Sequence, residues 1–407
     1  MTTTLHDDIY SDEVFHDPYA YYGMLREHDP VHWNEPYQMW IVTRYEDVVW
    51  LVRHPEILSS ENVKRDTRPP QPPIDPAHTE DFHFVREFRT HEFIQRDPPE
   101  HTRMRSAINK PFTPKSVEEW RLFVRNAVND LLDKAEPLGK MDIQKHLAMP
   151  LPLLVISEML GIPDGDRVLV KEQADRRMTS ALSMSPDRML VGAEGIRESN
   201  AYLTTQVEER LAHPRNDLMG VFAEAEKRGQ YSRPEVLANA QSLIDAGHET
   251  TIQLICNGTL AFLRNPAQWS RFKSDPDGLA VQATEECLRY DPPLPGQNRM
   301  AARDFTLHGK PIKAGQRVYY SIAAANRDPR AFPNPDAFNI ARSPNHHVSF
   351  GSGVHYCLGQ YLARLEGQEI FKSLAKRFPS LRLATDKIEY APIRGVRNVT
   401  SLPVAWN

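Results

Sequence analysis

The longest amphipathic pattern in the chain runs from Arg233 to Leu263 and predicts one long helix. Ser232 and Glu235, three residues apart, form the capping pattern that satisfies free backbone amides in the first turn of a helix. At a rise of about 1.5 Å per residue, such a helix is roughly 45 Å long. We therefore expect it to cross the whole molecule.

Shorter patterns predict a mainly helical fold with a small β-rich region. Further helices are predicted over residues 18–25, 45–54, 113–131, 166–182, 187–212 and 279–290, with another ending at 161. Strands are predicted over residues 31–33, 39–43, 305–307, 317–321, 381–383, 387–390 and 401–405. The β-rich part then lies mainly within 30–60 and 300–325, plus C-terminal strands within 381–405. No linker divides the chain, so we expect a single domain over residues 1–407.

Residues 56–95 carry five prolines, which helices seldom cross, and four phenylalanines. The prolines predict a long loop, and long loops in compact domains are usually functional or disordered. Disordered segments contain few aromatic residues, so the phenylalanines favour a functional loop. We therefore expect this segment to be a functional loop.

Composition limits the classes of partner. The chain has 407 residues, of which 40% are hydrophobic, a formal net charge of −5 and a pI near 6.4. This balance gives no reason to expect nucleic acid or a membrane as a partner. Three cysteines are too few for a disulfide framework, and the first ten residues contain no apolar run typical of a signal peptide or membrane anchor. We expect a monomeric, cytoplasmic protein.

A glycine-containing stretch, residues 350–359, delivers one cysteine to the start of a helix. Gly351 and Gly353 allow positive φ angles and the close approach of a flat ligand. Apolar residues recur at helical spacing from Leu358 onward, which puts Cys357 at a helix N-terminus. There the helix dipole and the free amides favour the thiolate, which is a soft ligand for iron. The alternative interpretation is a buried core thiol, the common state of a lone cysteine.

These ten residues resemble the haem-binding loop of the cytochrome P450 superfamily, whose pattern is Phe-Gly-x-Gly-x-(His/Arg)-x-Cys-x-Gly. The resemblance implies the cytochrome P450 fold, which is mainly α with a small β-rich region, and haem b as the cofactor. It also implies that Cys357 is the axial ligand of the iron and that His355 pairs with a haem propionate. Phe350 would shield the sulfur, and Gly359 would let the helix approach the porphyrin.

The centre of the long helix, residues 246–251, is a poor helical sequence. Gly247 costs about 1 kcal/mol relative to alanine, and Thr250 can bond back to a preceding carbonyl and bend the helix. One interpretation is a tolerated irregularity. The other, which follows from the resemblance, is a local opening in which Glu249 relays protons and Thr250 supports oxygen activation. Ala246 would leave room for substrate above the haem.

Glu286 and Arg289 lie three residues apart on a predicted helix. Such a pair is usually a surface ion pair that contributes well under about 1 kcal/mol. By the resemblance, however, the two residues are a structural pair that supports the haem-side core. Arg342 would complete this network.

His101 and Arg105 lie four residues apart on a predicted helix, an arrangement that suits an anion between them. A solvated basic face is the alternative. By the resemblance both residues bind haem propionates, and Arg299 matches a third residue with that role. Such cationic partners compensate for the burial of two carboxylates. One departure from the family is Asn398, where many relatives carry glycine.

The resemblance implies a haem-thiolate monooxygenase that activates O₂ with two externally supplied electrons. It would hydroxylate, O- or N-dealkylate or epoxidise a small to medium apolar or aromatic molecule. The candidates for the substrate pocket are Phe82, Phe84, Phe88, Leu243, Leu294 and Val399. Two alternatives remain open: a peroxygenase of the same fold driven by hydrogen peroxide, and a non-catalytic haem sensor or carrier. The pair Glu249–Thr250 argues against both.

The sequence shows no flavin- or iron–sulfur-binding segment, so we expect electrons from NAD(P)H to arrive through separate proteins. These would be a ferredoxin and its reductase, or a flavodoxin-type donor. Two segments carry basic residues suited to steering an acidic ferredoxin; they are Arg103, Arg105, Lys110, Lys115, Arg121, Arg364, Lys372, Lys376 and Arg377. An ordinary solvated surface is the alternative.

Overall fold

The structure is a computed structural model that describes residues 7–66, 74, 76–182, 186–391 and 398–406. The helices are α1 Asp12–His16, α2 Pro18–His28, α3 Tyr45–Arg53, α4 Asn62–Arg65, α5 Thr79–Thr90, α6 Glu100–Ile108, α7 Pro114–Glu118, α8 Arg121–Ala135, α9 Pro150–Leu160, α10 Arg167–Leu182, α11 Pro186–Ala212, α12 Leu218–Lys227, α13 Arg233–Arg264, α14 Pro266–Ser274, α15 Pro276–Tyr290, α16 Ile322–Asn326 and α17 Gln360–Arg377. The strands are β1 Val31–Asn34, β2 Met39–Val42, β3 Leu58–Ser59, β4 Lys140–Asp142, β5 Gln297–Ala301, β6 Phe305–Leu307, β7 Lys310–Ile312, β8 Arg317–Tyr320, β9 Arg382–Leu383, β10 Glu389–Ala391, β11 Asn398–Ser401 and β12 Pro403–Ala405. The chain is mainly helical with short strands, which confirms the predicted fold class.

Two compact units make up the chain. The mixed unit comprises Met1–Ser59, Val128–Ala148 and Thr250–Asn407, and it contains the strands given above. The helical unit comprises Ser60–Ala127 and Met149–Glu249. Two of the four boundaries fall inside helices, α8 and α13, so both helices contribute residues to each unit. The single domain over 1–407 stays a prediction.

The mixed unit contains a five-stranded sheet of order β1-β2-β8-β5-β3. β2 and β8 pair in parallel, whereas the other neighbours are antiparallel. Apolar side chains of the sheet pack with α3 and α16 in one cluster, which includes Val42, Leu51, Val318 and Ile322. Smaller sheets pair β4-β12-β9, β6-β7 and β10-β11. β4 lies outside the β-rich regions predicted from the sequence.

Several local signals that predict helix ends are present as contacts. The side chain of Asp17 accepts a hydrogen bond from the amide of Tyr19 at the start of α2. The amide of Ser232 donates to Glu235 at 2.8 Å at the start of α13. Gly161, at φ 71°, ends α9 in the left-handed region that glycine adopts without strain. These contacts explain why the starts of α2 and α13 and the end of α9 follow from the sequence.

The predicted long loop over residues 56–95 is wrong for its second half, because α5 occupies Thr79–Thr90. All five prolines precede Thr79, so none interrupts the helix. Phe82, Val85 and Phe88 recur every three residues, a spacing that places them on one helix face. They pack with Ile196 of α11 in an apolar cluster of the helical unit. The aromatic residues therefore mark a helix face.

The predicted helix over residues 113–131 is two helices, α7 and α8, separated by a turn at 119–120. The apolar residues on both sides of this turn keep a helical spacing, so the sequence pattern did not reveal the turn. Two further helices, α12 and α14, were not predicted from the sequence. Asp217 caps α12 by accepting a hydrogen bond from the amide of Gly220. Within the described ranges, no helix combines the length and apolar character that crossing a membrane requires.

Candidate active site

Residues 350–359, the cysteine loop, precede α17 and contain two glycines in the left-handed region. Gly351 and Gly353 have φ angles of 72° and 69°, which side chains with a Cβ rarely adopt. A Cβ on Gly353 would also lie 2.7 Å from the carbonyl oxygen of Val52. A Cβ on Gly359, in contrast, would meet no atom within 4 Å, so this side of the loop can accept a flat group.

Cys357 differs from the other two cysteines in its exposure. None of the three forms a disulfide, but Cys256 and Cys287 are 0% and 1% exposed, whereas Cys357 is half-buried. Burial raises the pKa of the Cys256 and Cys287 thiols well above the usual value and disfavours their thiolates. The amide of Cys357 donates to the carbonyl of Phe350 at 2.9 Å, and α17 begins three residues later. Among these thiols, Cys357 is the accessible one.

The structure brings Glu286, Arg289 and Arg342 together. Glu286 and Arg289 are both 0% exposed, and two parallel hydrogen bonds of 2.8 Å join them. Nε of Arg342 lies 3.2 Å from the same carboxylate. Both guanidinium groups also donate to backbone carbonyls between residues 326 and 337. This burial distinguishes the pair from an exposed ion pair of the same spacing.

Residues 246–251 lie within the continuous helix α13, and the predicted local opening stays a prediction. Ala246 is exposed although Leu243 and Ile244, three and two residues before it, are buried. A Cβ on Gly247 would make only ordinary contacts, the nearest at 3.6 Å from Ile156. Packing alone therefore does not explain the glycine.

Glu249 lies beside His248, which is 4% exposed. Nε2 of His248 is 3.1 Å from the carbonyl oxygen of Met149, and Nδ1 is 3.6 Å from Oε1 of Glu249. Burial raises the pKa of Glu249, and the negative charges of Asp175 and Asp245 raise it further. This carboxyl group is therefore biased towards holding a proton.

The four residues expected to bind propionates lie on three elements, with His101 and Arg105 both on α6. His101 lies on α6 and is 1% exposed; burial, followed by the charge of Arg105 one turn later, lowers the pKa of His101 to about 4. Arg299 lies on β5 with its guanidinium 5.9 Å from the ring centre of Tyr320. His355 ends the short turn Gly353–His355 in the cysteine loop. An anionic ligand near His101 would oppose the lowering of its pKa.

The candidate pocket residues of the helical unit are mostly packed. Phe82 and Phe88 are 5% and 9% exposed in the cluster formed by α5, α11 and α13. Phe84 packs against that cluster, with the guanidinium of Arg197 4.6 Å from its ring centre. Leu243 is 8% exposed on α13. Protein packing is sufficient to explain these aromatic positions, and their role in a pocket stays a prediction.

In the mixed unit, Leu294 is half-buried and Val399 is 0% exposed on β11. The amide of Val399 donates to Oε1 of Gln253 at 2.9 Å. Oδ1 of the neighbouring Asn398 accepts from Nε2 of Gln253 at 2.7 Å. The side-chain amide of Gln253, on α13, thus binds two successive residues of β11.

Sequence reasoning missed two acidic residues of the mixed unit. Glu285 on α15 pairs with Arg364 on α17, at 2.6 Å from its carboxylate to Nε. Glu366, two residues after Arg364, is 2% exposed; burial raises its pKa to about 8, against a hydrogen bond from Thr251. The sequence predicts only that Arg364 and Glu366 lie on the helix that follows Cys357.

Comparisons with known proteins decide the family. Residues 279–391 match the family model described as Cytochrome P450. The chain is 36% identical over 403 residues to the polyketide biosynthesis cytochrome P450 PksS of Bacillus subtilis, covering 97% of this chain and 96% of PksS. The chain belongs to the cytochrome P450 family.

Solved structures agree with this membership. The crystal structure of CalO2 superposes on this P450 with a TM-score of 0.90 at 31% identity, covering 98% of both chains. P450BioI, in complex with an acyl carrier protein ligated to hexadec-9Z-enoic acid, superposes with a TM-score of 0.88 at 32% identity, covering 97% of this chain and 99% of that chain. The relationship extends over nearly the whole chain.

This P450 is therefore a haem-thiolate monooxygenase of bacterial type, and its family implies haem as the cofactor and dioxygen as a co-substrate. It also implies an organic substrate and a redox partner. The residues present fit a haem: Cys357 is half-buried and in no disulfide, and the loop has room for a flat group at Gly359. Ala246 is also exposed, so the middle of α13 is accessible at this residue.

Proposed function

We propose that this P450 hydroxylates an apolar substrate of medium size, with Cys357 as the iron ligand and a ferredoxin as the electron donor. The observation that carries the proposal is the exposure of Cys357 on a glycine turn immediately before α17. A thiolate at that position gains from the helix dipole and from the free amides of the first turn. The cytoplasmic location and the monomeric state stay predictions.

Five residues of this chain would hold the haem. Cys357 would bind the iron, and His101, Arg105, Arg299 and His355 would pair with the two propionates. When bound, the haem supplies the oxygen chemistry, which takes two electrons and two protons to reduce O₂ and transfers one oxygen atom to the substrate. The protein contributes ligation, orientation and proton delivery.

Proton delivery is the role proposed for Glu249, with Thr250 next to it in the chain. The raised pKa of Glu249 supports this role, because the carboxyl group can then hold a proton and release it. The charge of Lys171 opposes the rise of this pKa. Nε2 of His248 can donate to the carbonyl of Met149, which leaves the lone pair of Nδ1 facing Glu249. This tautomer favours the protonated form of Glu249.

The substrate class rests on relatives and on apolar positions of this chain. One relative is named for polyketide biosynthesis, and another was solved with an acyl carrier protein carrying a long unsaturated fatty acid. Both names indicate chain-like, largely apolar substrates. Leu243, Leu294 and the exposed Ala246 would supply apolar surface near such a molecule. A panel of fatty acids, their carrier-protein esters and macrolactones, screened by the shift of the haem Soret band, tests this class.

The ion pairs of the protein support a smaller docking surface for the electron donor than the nine basic residues considered in the sequence. Six of the nine basic residues pair with carboxylates of the protein; these are Arg103, Arg121, Arg364, Lys372, Lys376 and Arg377. Lys110 and Lys115, in contrast, have exposed side chains in neighbouring turns of the helical unit. We place the ferredoxin contact at these two lysines.

Replacement of Cys357 by histidine tests the ligand assignment. The reduced, carbonyl-bound wild type should show the red-shifted Soret band of a thiolate-ligated haem, and the variant should lose it while keeping bound haem. Cys287→Ser is the matched control, since that thiol is buried. Survival of the band in Cys357→His, or its loss in Cys287→Ser, would overturn the assignment.

Charge reversal of Lys110 and Lys115 tests the partner. The rate of reduction by an acidic ferredoxin should fall and lose part of its dependence on salt, because attraction between exposed charges is screened over about 10 Å at 0.1 M salt. Lys227, an exposed lysine of α12, provides the matched control. Equal reduction rates in all three variants would move the docking site elsewhere.

A further inference from the structure

Glu285 and Arg364 form a bidentate ion pair between α15 and α17. Nε and Nη2 of Arg364 donate to the two carboxylate oxygens of Glu285 at 2.6 and 3.0 Å. Each side chain is only 20% exposed. The remaining guanidinium nitrogen, Nη1, donates to Oε1 of Gln360 in the first turn of α17 at 2.5 Å. This geometry restricts the guanidinium plane to one orientation.

The pair connects directly to the cysteine loop. The guanidinium carbon of Arg364 lies 4.4 Å from the ring centre of Phe350, a close cation–π contact. The carbonyl of Phe350 in turn accepts the hydrogen bond from the amide of Cys357. Three contacts in series therefore lead from Glu285 to the backbone of the cysteine.

A second connection passes through His347, whose side chain is 2% exposed. Its Nε2 lies 3.0 Å from Oε2 of Glu285, and its Nδ1 accepts from the amide of Ser349 at 3.2 Å. Since Nδ1 is an acceptor, Nε2 carries the proton and donates to Glu285. Burial alone would raise the pKa of Glu285, but the hydrogen bonds from His347 and Arg364 lower it to about 2. Glu285 is therefore ionised and bound on both sides at neutral pH.

We propose that Glu285 and Arg364 are positioning residues that hold the cysteine loop in the conformation that presents Cys357. The proposal rests on the function proposed above, in which Cys357 binds the haem iron. Neither residue touches the sulfur in the contacts described. Arg364 holds the ring of Phe350, and Glu285 holds both Arg364 and His347 at the start of the loop. Loss of either residue should loosen the loop before the fold is lost.

The test compares Glu285→Gln and Arg364→Gln with the wild-type holoenzyme. Asp277→Asn is the matched control, because Asp277 and Lys376 form an exposed ion pair between the same two helices. Hydrogen–deuterium exchange in the peptide covering residues 350–358 should be roughly tenfold faster in both variants, since each loses hydrogen bonds to a charged group. The control should exchange at the wild-type rate.

The thiolate signature gives the second measurement. In mild denaturant, both variants should lose the red-shifted carbonyl band at concentrations that leave their helical circular dichroism unchanged. A double variant should add little to either single change, because the two residues act as one unit. Arg364→Lys should be intermediate, since an ammonium keeps the charge but cannot form two parallel hydrogen bonds.

Three outcomes would contradict the proposal. Loop exchange at the wild-type rate in both variants would show that the pair does not hold the loop. Loss of the band only together with helical structure would reduce the pair to a general stabilising role. Opposite shifts of the reduction potential in the two variants, without faster exchange, would make the effect purely electrostatic. A wild type without the thiolate band would contradict the proposed function. The exchange measurement would still show whether Glu285 and Arg364 hold the cysteine loop.

Discussion

Two adjacent carboxylates of α15, Glu286 and Glu285, support different segments of the mixed unit. Glu286 is 0% exposed and binds Arg289 and Arg342, which hold backbone carbonyls between residues 326 and 337. Glu285 is 20% exposed and binds Arg364 and His347, which contact the cysteine loop. Successive helical residues are rotated by about 100°, so the two side chains leave the helix in different directions.

The difference shows that similar charge pairs can have different consequences. A fully buried pair mainly determines whether the fold survives, because an unpaired charge there cannot reach water. A half-buried pair can reach water when its partner is lost, so its loss costs less free energy. The Glu285 pair can therefore be removed to study the cysteine loop, whereas the Glu286 pair cannot be removed without endangering the whole unit.

Breaking the Glu286 network should have the largest effect. Glu286→Gln leaves Arg289 buried without its charged partner, and we expect the free energy of unfolding to fall by about 3–5 kcal/mol. The measurement is urea unfolding followed by circular dichroism, with accumulation of folded protein as a supporting readout. A loss below about 1 kcal/mol would mean that the network behaves like an exposed pair.

Glu366 on α17 provides a buried carboxyl group without an arginine among its described hydrogen-bond partners. Its Oε1 accepts no hydrogen bond in the described residues, and burial raises its pKa from 4.5 to about 8. The unfolded chain ionises first, so wild-type stability should fall as pH rises from about 4.5 to about 8.

Glu366→Gln should remove this loss. The variant should therefore exceed the wild type in melting temperature at pH 8, by a margin that shrinks towards pH 5. The expected gain at pH 8 is up to a few kcal/mol, at about 1.4 kcal/mol per pKa unit. Melting curves over this pH range test the direction, and a variant that is less stable at pH 8 would contradict the buried neutral form.

Glu285 should show the opposite pH dependence and a smaller effect. Its pKa is lowered from 4.5 to about 2, so its contribution to stability is present above pH 4.5 and is lost as pH falls through 2. Glu285→Gln should reduce the free energy of unfolding by about 1–2 kcal/mol at pH 7. Urea midpoints measured from pH 7 down to pH 3 should converge for variant and wild type. Parallel curves over this range would exclude a contribution from the ionised carboxylate.

The exposed pair of Asp277 and Lys376 should have the smallest effect. It joins the same two helices, but the side chains are 67% and 51% exposed. Asp277→Asn should change the free energy of unfolding by less than about 0.5 kcal/mol, and less still at high salt. A loss as large as that of Glu285→Gln would show that burial does not separate these pairs.

The sequence was informative where partners lie close along the chain. Glu286 and Arg289 could be paired from their spacing alone, since both lie on one helix. Glu285 and Arg364 are 79 residues apart, and nothing in either helical pattern connects them. The same limit explains the error at α5, because the prolines suggested a loop while the phenylalanines pack on α11.

By itself, the sequence determined the long helix α13, the start of α2, the end of α9, and the position of Cys357 before α17. Capping side chains, prolines, glycines and helical periodicity act over a few residues, so these features do not depend on the rest of the fold. Only the tertiary structure decided which carboxyl groups are ionised and which hold a proton. Glu285 and Glu366 differ because arginine and histidine from distant segments reach one, whereas burial dominates the other.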